Sequence, residues 1–178
     1  ENGTPQEVER PFADQVAAAQ GYELTNMAED GETSASLLTK LQETNSDELA
    51  AVTSADLITI TVGGNDLMGA LYAYLAEEYV KENPDVQGFD ADDAKALLMS
   101  GNPAFLAFAV GKISGGDFTM KILATLETFT TNLTAIVEEI KQANPQASIL
   151  VATQYNPYYY LAKSTEGTPF ADTASKIS

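Results

Sequence analysis

The chain has 178 residues, 44% hydrophobic and 20% charged, a composition that fits one globular domain of the usual ~100–200 residues. Cysteine and histidine are both absent, which excludes a disulfide scaffold, thiolate chemistry and every histidine-dependent catalytic arrangement within this chain. Nine basic against 26 acidic residues leave a net charge of −17, so nucleic-acid phosphates and anionic lipid surfaces are repelled rather than bound.

An amphipathic segment over 12–20 is closed by Gly21, and residues 22–26 (YELTN) then read as a first strand. A helix over 33–42 carries Leu37, Leu38 and Leu41 on one face. Asn45 with Glu48 three residues later has the form of a capping box, opening a short helix that ends near Val52. Residues 57–62 (LITITV) are β-branched and stop at Gly63-Gly64, which marks a second strand. Leu67, Leu71, Leu75 and Val80 fall near one stripe of a helix over 66–81.

Asp90 and Asn102-Pro103 are start signals for helices over 91–99 and 103–110. The clearest helix covers 118–143, where Ile122, Leu126, Phe129, Leu133, Ile136 and Ile140 recur every three or four residues before Asn144-Pro145 ends it. Residues 148–153 (SILVAT) form the third strand, and a polar, aromatic stretch over 154–160 follows. Strands alternating with helices, two of them near-continuous apolar runs, predict an α/β domain with a mainly parallel sheet. No apolar run reaches the ~20 residues of a membrane-spanning helix.

Ligands of open parallel sheets bind beyond the carboxyl ends of the strands. Two turns lie there. Gly63-Gly64-Asn65-Asp66 follows the second strand, with glycines that allow close backbone approach and an Asn amide at a helix start. Asn26 to Gly31 follows the first strand, and Gly31 offers a bare backbone N–H to the same cleft. Two such donors meeting at one point would form an oxyanion hole. Each turn also has a plain structural reading, as a glycine turn with an Asn or Asp N-cap.

The stretch over 26–34 followed by Leu37-Leu38 and Leu41, and the stretch over 55–67 (ADLITITVGGNDL), resemble the second and third blocks of the GDSL/SGNH hydrolase family. Asn144-Pro145, Ile149-Leu150-Val151 and Asn156-Pro157 resemble its next strand and loop, and the matches keep the family's order from Pro11 to Tyr160. The resemblance implies a flavodoxin-like α/β/α sandwich that hydrolyses ester or related acyl bonds through a serine, with no cofactor or metal. It makes the Gly31 backbone N–H and the Asn65 side-chain amide oxyanion donors. Gly63 and Asp66 become structural residues of the turn, and Gly64, Tyr155 and Asn156 walls of the substrate cleft.

Two family blocks have no counterpart here: the Gly-Asp-Ser motif of the nucleophile and the Asp-x-x-His motif of the base. The expectation is therefore a single domain over 1–178, incomplete at both ends, with its first strand missing. That strand would lie between 22–26 and 57–62, supplied by an upstream segment of the same gene product or by a neighbouring copy. Residues 67–117 exceed what one crossover needs and read as a helical, cap-like insertion. Within it, 103–113 is either a core helix or a lid that receives an acyl chain. The rival function is a hydrolase-like binding module without the triad. Partners are then a small-molecule or acyl ester substrate, with no nucleic acid and no transmembrane segment. The acidic, Cys-free composition and family habit point to export or a bacterial cell surface, with the cytoplasm left open.

Overall fold

In a computed structural model, residues 12–152 are described. Seven helices and two strands follow in the order α1 (Phe12–Gln20), α2 (Ser34–Gln42), α3 (Asp47–Ser54), β1 (Leu57–Ile60), α4 (Gly64–Glu82), α5 (Ala91–Met99), α6 (Pro103–Ile113), α7 (Gly116–Ala143) and β2 (Ser148–Val151). The strands pair in parallel, with Leu57 opposite Ser148 and Ile60 opposite Val151. The described chain is thus an α/β structure, mostly helical, around a small parallel sheet.

The helix starts follow from local chemistry. Thr33 caps α2 and shares a capping box with Ser36, while Asp90 does the same for α5 with Asp93. Asn102 accepts from the Phe105 N–H, and Pro103 occupies the first turn of α6. At α3 the cap is Ser46, whose hydroxyl accepts from the Leu49 N–H. The Asn45–Glu48 box expected from sequence does not form. Glu48 instead turns its carboxylate to Lys40.

Two apolar clusters divide the interior. Leu41, Val52, Ile60, Val62, Ile136 and Ile140 join α2, α3, β1 and α7 around the sheet. Tyr74, Leu75, Ala94, Phe105 and Ala109 unite α4, α5 and α6 in a second cluster, reinforced by tilted and edge-on contacts among Tyr79, Phe89, Phe105 and Phe108. α6 turns Phe105 and Ala109 inward and leaves Leu106 and Val110 exposed, so it is a core helix on one face only. No single described helix is long and apolar enough to cross a membrane.

One expected strand is absent. Residues 22–26 form no ladder and are exposed, including Tyr22 at 53% and Leu24 at 39%. A strand is held by the hydrogen bonds of a neighbour, and here a trough of about 770 Å3 separates this segment from the nearer edge of β1. Tyr22, Leu24 and Met27 line the trough, as do Leu57, Thr59 and Thr61.

Candidate functional site

The site is built where β1 ends. Gly63 holds φ +113°, and a Cβ placed there would lie 2.7 Å from Cε2 of Phe129. Only glycine satisfies both the backbone and the close approach of α7. The chain then enters α4 with Asn65 exposed and Asp66 half-buried in its first turn.

Facing it is the turn Glu29-Asp30-Gly31-Glu32, closed by the Glu32 N–H donating to the Glu29 carbonyl at 3.5 Å. Gly31 takes φ +83° at its third position, the place where a type II turn needs glycine. Two cross-links lock the turn to α4. The Asn65 amide donates to the Glu32 carbonyl at 2.9 Å, one residue beyond Gly31. Asp66 accepts from the Ser34 N–H at 2.9 Å and from the Ser34 hydroxyl. The Asn132 amide on α7 donates to that same hydroxyl at 3.0 Å. Asn65 has a second amide proton, and neither it nor the Gly31 N–H has a partner among the described residues.

The turn is also clamped from below. Lys40 Nζ lies 2.7 Å from Glu29, 2.6 Å from Glu32 and 3.3 Å from Glu48. The Glu29 and Glu32 carboxylates hold the Lys40 ammonium above the usual lysine range. Burial pushes the Glu32 carboxyl up, but hydrogen bonds from Lys40 and Ser36, with the Lys40 charge, bring it below the ordinary carboxylate value. Both ends of the turn carrying Gly31 are therefore tied to α2, and through Glu48 to α3.

Sequence reading missed Lys40, Ser34 and Asn132. Lys40 had a signal: it is the sole basic residue between Arg10 and Lys81. Ser34 and Asn132 are 98 positions apart, beyond any local pattern. Ser34 is fully buried, with its proton committed to Asp66 and no histidine in the chain, so no substrate carbonyl reaches it as a nucleophile. Asn132, which begins an Asn-x-Thr glycosylation triplet, spends its amide on Ser34.

Gly63 and Gly64 lie beside Asn65 at the start of α4. Tyr155 and Asn156 lie outside the described residues. Among the described residues no set of three acidic side chains is placed to hold a metal ion. Asp90 spends its carboxylate on the N–H groups of Asp92 and Asp93.

The arrangement brings a helix N-terminus and a glycine turn together at the carboxyl end of a parallel strand. The family model of the GDSL-like lipase/acylhydrolase family matches residues 2–174, so this chain belongs to the GDSL-like lipase/acylhydrolase family. Comparisons with curated proteins and with solved structures give no match.

Proposed function

We propose that this chain supplies the oxyanion-binding half of a serine ester hydrolase with a flavodoxin-like α/β/α frame. The observation that carries the proposal is the hydrogen bond from the Asn65 amide to the Glu32 carbonyl, which brings the two glycine-bearing turns together. In this reading a serine on a segment adjoining β1 attacks an acyl carbonyl. Negative charge develops on the carbonyl oxygen, and the Gly31 N–H and the second Asn65 amide proton donate to it. Both donors are fixed beforehand, so no reorganisation is needed as the charge forms. Asp66 holds the corner by ordering the first turn of α2 against α4. Gly64, Tyr155 and Asn156 border the cleft for the acyl group. The histidine base comes, like the serine, from polypeptide other than this chain, which has none.

The test is hydrolysis of p-nitrophenyl esters of graded acyl length by the full gene product, with fluorophosphonate labelling to locate the serine. Asn65→Ala is expected to lower kcat about 10²–10³-fold with the fold retained, the usual loss for one oxyanion donor. A loss under tenfold overturns the assignment. A full gene product with no labelled serine supports the binding-module reading instead.

A further inference from the structure

Three hydrogen bonds stitch residues 32–34 to residues 65–66. The Asn65 amide donates to the Glu32 carbonyl at 2.9 Å, and Asp66 accepts from both the N–H and the hydroxyl of Ser34. Two of the three therefore depend on where Ser34 sits. Ser34 opens α2 and is fully buried, and the one proton of its hydroxyl goes to Asp66. Its oxygen also accepts a bond, at 3.0 Å, from the Asn132 amide on α7. The direction of donation is thereby fixed along the row, from Asn132 to Ser34 to Asp66.

Burial alone does not call for Asn132. A hydroxyl that already donates to a carboxylate is not orphaned, and asparagine is a poor residue for the interior of a helix such as α7. What the second bond adds is direction. A serine oxygen has three staggered positions, and holding it between a donor on α7 and an acceptor on α4 selects one of them. Phe129 reinforces the same geometry. It lies three residues before Asn132, on the same face of α7, and its ring edge rests against Gly63. One helix face thus meets both turns, with a ring at the end of β1 and an amide at the start of α2.

We propose that Asn132 is a positioning residue for the oxyanion corner. It fixes Ser34, Ser34 fixes Asp66, and Asp66 sets the first turn of α4 from which the neighbouring Asn65 amide projects. The proposal rests on the functional reading above and deepens it by naming what keeps that donor aimed. A misaimed donor weakens the stabilisation of charge in the transition state while ester binding in the ground state is unchanged, so the loss falls on kcat rather than KM.

The experiment replaces Asn132 by leucine, which has similar volume and no donor, and reads two things. In the full gene product, kcat for the p-nitrophenyl ester turned over fastest is expected to fall about tenfold, with KM changed less than about twofold. Ser34→Ala should give the same loss, and the two substitutions together no more than either alone, as for members of one chain of bonds. In the Asn65→Ala background, Asn132→Leu should cause no further loss, because the donor it aims is gone. A merely structural role predicts losses that multiply in both pairings. In the isotope-labelled 178-residue chain, the side-chain amide resonances of Asn65 should move in Asn132→Leu, while those of the distant Tyr74 and Phe105 cluster stay in place. Asn132→Asp, of the same size but without the amide donor, repeats both measurements should the leucine variant fail to fold. Unmoved Asn65 amide resonances, or a kcat within about twofold of the parent, overturn the proposal. If Asn65→Ala itself loses less than tenfold, the functional reading fails, and the movement of the Asn65 resonances still decides whether Asn132 aims that side chain.

Discussion

Gly63 carries two demands at once, a backbone angle that side chains rarely adopt and a ring edge where Cβ would sit. Gly63→Ala is expected to cost about 2–4 kcal/mol in denaturant unfolding, combining backbone strain with overpacking. Adding Phe129→Leu should recover the packing share and leave the backbone share. The coupling between the two substitutions separates the causes. Gly31 differs: a Cβ there meets open space, so its requirement is the φ angle alone.

Lys40 and Glu32 set the pH behaviour of the same corner. Glu32 is held below its ordinary value, so its contribution is complete above about pH 4.3 and is lost as pH falls through the lowered value. Lys40 is held above its ordinary value, so its contribution is complete below about pH 10.4 and is lost only at still higher pH. The Gly31 amide resonance should therefore stay fixed from about pH 5 to 9 and move only under stronger acid. In Lys40→Gln the acid midpoint should climb toward the ordinary carboxylate value. An unchanged midpoint would show that Lys40 does not hold the turn.

Among the elements, α7 and the strand around 57–60 were legible because each obeys one period over its whole length. Core positions recur at helical spacing through α7, and β1 is a β-branched run cut by two glycines. The segment over 22–26 has strand-like composition yet forms no strand, because pairing depends on a neighbour that no local pattern encodes. The corner itself was half legible. Glycine and asparagine marked the two turns that the Asn65–Glu32 hydrogen bond joins, whereas the ties through Lys40 and Asn132 span distances that only the fold closes.

Asn144 shows the same lesson at the junction of elements. From sequence it ends α7; in the fold its amide also donates to the carbonyls of Val52, Thr53 and Ala55, and its Oδ1 accepts from the N–H groups of Gln146 and Ala147. It thereby fastens the end of α3 to the turn before β2. Asn144→Ala should cost about 2–3 kcal/mol, since several half-buried carbonyls lose their donor together. Amide exchange should quicken first around 52–57. Uniform exchange across the chain would argue against a local latch.

At the scale of the whole molecule, charge is the dominant imbalance. Seven ion pairs are present among the described residues, concentrated on Lys40, Lys81, Lys112 and Lys121, and they leave most carboxylates uncompensated. Salt weakens these exposed pairs but also screens the self-repulsion of a chain at −17, and the excess of acids makes the second effect larger. The melting temperature should rise by several degrees between about 10 and 200 mM sodium chloride, where the Debye length shrinks from roughly 30 to under 10 Å. A fall would place the ion pairs above the repulsion.

The helix α7 supplies Phe118 to one apolar cluster and Phe129, Leu133, Ile136 and Ile140 to the other. Its 28 residues run about 42 Å without a break, so it works as a beam spanning two foundations. α4 is a second strut, rooted at the glycine corner and ending among the aromatic rings. With two stiff members crossing between them, the halves cannot hinge apart without bending one or sliding it along its neighbour. A load on the aromatic end of α4 would thus be carried along the helix toward Asn65 in its first turn.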